Sequence, residues 1–170
     1  MKEHIDLLIE EVKKKRMGQV GTLLGSPGEG IFLYNAYSIL KDESLKQVAY
    51  AKLETAIEII GKEAPVPKSY YSGIAGLGWA VHFLHKHHWL QEDVDDLLSD
   101  FDQLLSSSVD EYLIYRNWDL LHGACGLGIY FAARPVENPA ACQNIHKILY
   151  YSLINLCFFT TFGKTFLELC

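Results

Sequence analysis

One pattern recurs three times along this chain and limits what it can fold into. Gly25-Ser26-Pro27-Gly28-Glu29-Gly30, Gly73-Ile74-Ala75-Gly76-Leu77-Gly78 and Gly123-Ala124-Cys125-Gly126-Leu127-Gly128 all read G-x-x-G-x-G, and each runs into three large or apolar residues. The copies start at positions 25, 73 and 123, intervals of 48 and 50, and hold nine of the chain's 13 glycines. Self-similarity at one period marks a repeat architecture.

Between the copies the apolar residues recur at helical spacing. Ile5, Leu8, Ile9 and Val12 share one face. Leu45, Val48, Ala49, Leu53, Ile57 and Ile60 share another, with Asp42 and Ser44 as N-cap oxygens and Gly61 as a stop. Val94, Leu97, Leu98, Phe101, Leu104 and Leu105 repeat the theme, and Ile145, Ile148, Leu149 and Leu153 begin it again after Pro139. After each glycine cluster comes a different segment, 28–40, 76–86 and 126–133, apolar nearly all round and so buried on most sides. The unit is an outer amphipathic helix, a glycine turn and an inner apolar helix. Repetition of that unit gives an all-α fold, a helical-hairpin solenoid or a partial α/α toroid. At the turns, glycine permits positive φ and close backbone approach. The inner-helix N-termini also offer N–H groups to a polar or anionic ligand.

Other classes are set aside on physical grounds. G-x-x-G-x-G differs from the dinucleotide fingerprint, no β-branched strand precedes it, and no Gly-Lys-Ser/Thr follows. A net charge of −6 opposes nucleic-acid binding. The basic run Lys13-Lys14-Lys15-Arg16 ends a helical pattern, where cations suit the helix dipole. No stretch is apolar enough for a membrane span, and Met1-Lys2-Glu3-His4 is no secretory signal, so a cytoplasmic location is expected. Cys125, Cys142, Cys157 and Cys170 form no CxxC pair and are expected as free, buried thiols. His82, His85, His87 and His88 close the second inner helix and name no third metal ligand. Tyr70, Tyr71, Trp79, Trp89 and Trp118 could pack in the core or line a peptide groove.

Three segments resemble the glycine motifs of the lanthionine synthetase C-like (LanC-like) family. These are Gly25 to Leu33, Ser69-Tyr70-Tyr71-Ser72-Gly73-Ile74-Ala75-Gly76-Leu77-Gly78, and Trp118-Asp119-Leu120-Leu121-His122-Gly123-Ala124-Cys125-Gly126-Leu127-Gly128. The likeness covers residues 1–150 as LanC-like helical-hairpin repeats and leaves 151–170 as a divergent apolar tail. It implies part of a toroid of seven hairpins around a zinc site. It also implies kinship with enzymes that add Cys thiols to dehydrated Ser or Thr in peptides, as in lanthipeptide cyclisation, so a peptide is the implied substrate. Asp119 matches the family's acidic residue, which assists proton transfer or orients a His; a capping role for it stays open. His122-Gly123 imitates the family's Ala-His-Gly, and His122 is a second acid–base candidate. Gly25, Gly28, Gly73, Gly76, Gly123 and Gly126 carry the turn motif. The family's zinc ligands lie in Trp-Cys and Cys-His-Gly motifs that this sequence lacks, so no metal site is assigned. The expectation is a truncated LanC-like protein, inactive alone, that self-associates through exposed inner helices. Two alternatives are a non-catalytic repeat scaffold for a peptide or partner, and a glycan-active toroid enzyme using Asp119 and Glu29.

Overall fold

The computed structural model describes residues 2–15, 19–62, 65–91, 93–135 and 137–167, with side chains for those between 4 and 154. Among the described residues the fold is all-helical: α1 (Lys2–Lys14), α2 (Ser26–Leu40), α3 (Glu43–Ile60), α4 (Ile74–Lys86), α5 (Asp95–Ile114), α6 (Ala124–Ala133) and α7 (Pro139–Leu167). The inner helices α2, α4 and α6 follow the three glycine clusters and pack in series, α2 on α4 and α4 on α6. α3, α5 and α7 form the outer layer, α3 against α2 and α4, α5 against α4 and α6, and α7 against α6 and α5. This is the arc of a partial α/α toroid.

Each inner helix begins one residue after the first glycine of its cluster, so the second glycine falls in the first helical turn. The core lies between the layers. Leu33, Leu77, Leu84 and Leu127 come from the inner helices, and Leu45, Leu53, Leu98 and Leu105 from the outer ones. Each such side chain contributes about 1.5–3 kcal/mol when fully buried. Asp42 caps α3 by accepting from the Ser44 N–H at 2.9 Å, and Gly61 closes it in right-handed geometry (φ −72°). α7 runs through position 150 without a break. From residue 155 onward, Cys157 and Cys170 included, the side chains lie outside the described residues, as does Arg16.

Two outcomes differ from expectation. α4 and α6 carry no large, widely exposed apolar side chain among the described residues; such side chains occur on α1 (Ile5, Leu7, Leu8), at the end of the inner helix α2 (Ile39, Leu40), on α3 (Tyr50, Ile57), on α5 (Leu104, Ile114), on α7 (Leu149, Tyr150, Tyr151, Leu153) and in the turns (Leu23, Leu120). The helices packed on α4 and α6 cover them, whereas the inner helix α2 ends in exposed apolar residues as the outer helices do. Positive φ is also rarer than the glycines suggest. Gly25 has φ 156°, whereas Gly73 and Gly123 lie at −133° and −135°, open to any residue.

Candidate active site

The turns that precede α2, α4 and α6 are one structure made three times. The first helical N–H of each inner helix donates seven residues back: Ser26 to the Gln19 carbonyl (3.1 Å), Ile74 to Pro67 (2.9 Å) and Ala124 to Asn117 (2.9 Å). The glycines sit under the same turns. A Cβ on Gly25, Gly73 or Gly123 would come closer than 3.0 Å to the carbonyl oxygen of Gln19, Pro67 or Asn117. A Cβ on Gly28, Gly76 or Gly126 would meet the carbonyl oxygen of Thr22, Tyr70 or Leu120 in the same way. Backbone-on-backbone approach, more than left-handed φ, is what demands glycine here.

The turns are also tied to one another. The Leu24 N–H donates to the Tyr71 carbonyl at 2.9 Å, and the Tyr71 N–H donates to the Leu121 carbonyl at 3.0 Å. The Thr22 hydroxyl donates to the Gly76 carbonyl. Three consecutive turns thus form a continuous hydrogen-bonded face at the N-terminal ends of the inner helices.

Asp119 and His122 occupy the third turn of this face. Asp119 Oδ1 accepts from the N–H groups of Leu121 (2.8 Å) and His122 (2.6 Å). The same oxygen lies 3.4 Å from His122 Nδ1. The hydrogen bond from the His122 amide, joined by that of Leu121, holds the Asp119 carboxyl below the usual carboxylate range, so it is ionised at neutral pH. Capping is thus part of what Asp119 does, on the turn ahead of α6 rather than on the helix itself. Both side chains are about half exposed (54% and 56%). The Tyr71 ring lies 5.2 Å from the His122 ring, so the second turn packs on the histidine of the third. Asn117 completes the loop, accepting from the Asp119 N–H (3.2 Å) and donating to the His122 carbonyl (3.2 Å).

The other candidates lie elsewhere. Tyr70 meets Trp79 edge-on at 6.0 Å, and Trp79 stacks on Phe83 at 5.2 Å, a ladder that Phe83, His87 and Trp89 continue along α4. Burial raises the Tyr70 hydroxyl above its usual range. His82 is half-buried, and burial, joined by the Arg134 charge, lowers its pKa below the usual histidine value. Glu29 is engaged by Lys52, whose ammonium donates to it at 2.7 Å and to the Lys15 carbonyl at 2.7 Å. Glu29 and Asp119 therefore belong to separate networks.

Sequence reasoning missed one polar cluster. Asp102 of α5, only 3% exposed, accepts from the Tyr130 hydroxyl (2.6 Å), the Arg134 guanidinium (3.0 to 3.2 Å) and the Asn138 amide (2.7 Å). It joins α5 to both ends of the α6–α7 connection. Burial and the Asp102 carboxylate push the Tyr130 hydroxyl far above its usual range. An acid at a heptad position of an amphipathic helix gives no sign in sequence of the partners 28 to 36 residues away.

The match to known proteins follows the repeat. The family model for lanthionine synthetase C-like proteins matches residues 21–158, which includes all three turns. The chain belongs to the lanthionine synthetase C-like family. No curated protein matches it. The zinc of this family calls for two thiolates and an imidazole. Among the described residues of this LanC-like chain, no three His, Cys, Asp or Glu side chains gather where they could hold a metal. Cys125 and Cys142, both half-buried, lie on different helices, α6 and α7. Among the described residues, no helix is long and apolar enough to cross a membrane.

Proposed function

We propose that this LanC-like chain carries the proton-handling face of a thiol addition to dehydrated Ser or Thr residues of a peptide, the chemistry of lanthipeptide cyclisation. In that reaction a thiol gives up its proton, its sulfur bonds to the β-carbon of the dehydrated residue, and the α-carbon takes up a proton. The observation that supports the reading is the half-exposed Asp119–His122 pair on the three-turn face. Asp119 stays ionised and fixes the backbone and ring of His122, and His122 exchanges the α-carbon proton. Thiol activation is not a task for the described residues, so the chain by itself binds peptide and does not turn it over.

The test uses a peptide with one cysteine and one dehydrobutyrine beside its undehydrated parent. NMR titration of the chain is expected to shift Tyr71, Asp119 and His122 with the dehydrated peptide and not with the parent. The cysteine is expected to stay fully alkylatable. Shifts confined to other surfaces would remove the proton-handling role, and thiol loss catalysed by the chain alone would remove its inactivity.

A second reading is a non-catalytic peptide scaffold, favoured by the absence of a metal-donor cluster among the described residues. It predicts equal binding of the two peptides and no change in either with Asp119→Asn.

A further inference from the structure

One cavity lies at the opposite end of the inner helices from the Asp119 turn. It measures about 440 Å³ and is lined by Tyr34, Glu43, Lys46, Gln47, Tyr50, Trp89 and Gln91. That volume falls in the range of small-ligand sites.

The repeat shows that such a gap need not exist. Tyr50 is the eighth residue of α3, and Asp102 is the eighth residue of α5. At α5 the segment after the inner helix α6 closes the space, as Arg134 and Asn138 both bond to Asp102. At α3 the segment after the inner helix α4 brings Trp89 and Gln91 to the wall, and the space stays open. At this position the two repeats differ in chemistry: α5 has Asp102 bonded across to the next connection, and α3 has Tyr50 on the cavity wall.

Its walls divide by chemistry. Tyr34 and Trp89 stack at 5.5 Å with their planes 19° apart, and Tyr50 adds a third ring. Glu43 and Lys46 stand three residues apart on one face of α3, and Tyr37 tethers both: its hydroxyl donates to Glu43 Oε1 at 2.9 Å, and its ring lies 5.9 Å from the Lys46 ammonium. One side is therefore aromatic, and the other holds an anion and a cation, each in contact with Tyr37.

We propose that this cavity binds a zwitterionic aromatic molecule, a free aromatic α-amino acid. The ring lies against Trp89 and Tyr50, with buried Tyr34 stacked behind Trp89, the α-ammonium meets Glu43, and the α-carboxylate meets Lys46. A purely apolar anchor would leave both charges unmatched, and a nucleotide would bring two or more phosphate charges to a single lysine. The proposal is independent of the thiol-addition reading, because no residue is shared with the Asp119 turn.

The probe is L-phenylalanine, titrated into the full chain by calorimetry and by NMR, beside phenethylamine, 3-phenylpropionate and adenosine monophosphate. Saturable phenylalanine binding is expected, weakened at least about tenfold by removing either charge from the ligand. Lys46→Met should lower phenylalanine affinity while leaving phenethylamine binding unchanged, and Glu43→Gln should do the converse with 3-phenylpropionate. Glu43 is exposed and Lys46 half-buried on α3, and circular dichroism checks that the fold is kept. The proposal is overturned by no saturable phenylalanine binding up to about 10 mM. Equal binding of all three phenyl ligands, or tighter binding of adenosine monophosphate, overturns it too.

Discussion

Replacing Gly126 and Gly128 by alanine, one at a time, should move stability in opposite directions although the two are neighbours in one helix. In an ordinary helix the change gains about 0.5–1 kcal/mol, because alanine loses less chain entropy on folding. At Gly128 that gain should survive, since a new Cβ would meet only Ile148, Cδ1 at 3.5 Å and Cγ2 at 3.9 Å, both normal contacts. At Gly126 the new Cβ would sit inside the contact distance of the Leu120 carbonyl oxygen and 3.0 Å from Tyr70 Cβ. Neither obstacle is the free end of a side chain. Relief means shifting the turn that carries Asp119, and overpacking of that kind costs about 1–3 kcal/mol. The predicted outcome is Gly128→Ala at or slightly above wild type and Gly126→Ala about 1–3 kcal/mol below it. Urea unfolding followed by circular dichroism at constant m-value measures both. Two alanine variants of equal stability would refute the claim that close turn packing selects these glycines.

Other consequences can be checked on the same material. Asp102→Ala strands the Arg134 guanidinium and should cost about 3–5 kcal/mol, with an Asp102→Ala/Arg134→Met pair far less costly than the two changes added together; a strictly additive double-mutant cycle would contradict the network. His82 has a folded pKa below its unfolded 6.5, so the unfolded chain binds more protons at mildly acid pH. Its contribution is complete above 6.5 and fades as pH falls through that value toward the folded pKa; His82→Gln should flatten this part of the stability profile, and an unchanged profile would assign the acid sensitivity elsewhere. Leu149 and Leu153 are 55% and 63% exposed on α7. Self-association of the chain should weaken on Leu149→Glu/Leu153→Lys, as read by multi-angle light scattering, whereas a monomeric wild type would disprove self-association.

The architecture was legible because it is periodic. Helix periodicity and three glycine clusters are local signals, and they located every outer helix and placed the inner helices to within two residues at their starts. The glycines' shared purpose was legible only in part. Close approach holds at all three copies, but positive φ holds at Gly25 alone, because Gly73 and Gly123 enter their helices from extended backbone. On the α1 face Ile9 is buried while Ile5 and Leu8 are about half exposed, since periodicity reports a face without saying what covers it. Asp119 and His122 were visible as types at the third turn. Their link to Tyr71 was not, because it depends on the second and third turns stacking across 50 residues of chain. The Asp102 network and the Tyr34–Trp89 cavity were invisible for the same reason. Each is assembled from single residues on separate elements, with no spacing that repeats.

Amide hydrogen exchange at two positions tests the central claim most directly. The N–H of Tyr71 and that of Leu24 are the donors that tie the second turn to the third and the first to the second. If the glycine turns are copies of one unit locked into a single face, both amides exchange only on global unfolding, with protection equal to that of the core helix α4. Exchange of either at the rate of an open loop would mean that the turns are independent, and the face that holds Asp119 and His122 would not exist as described.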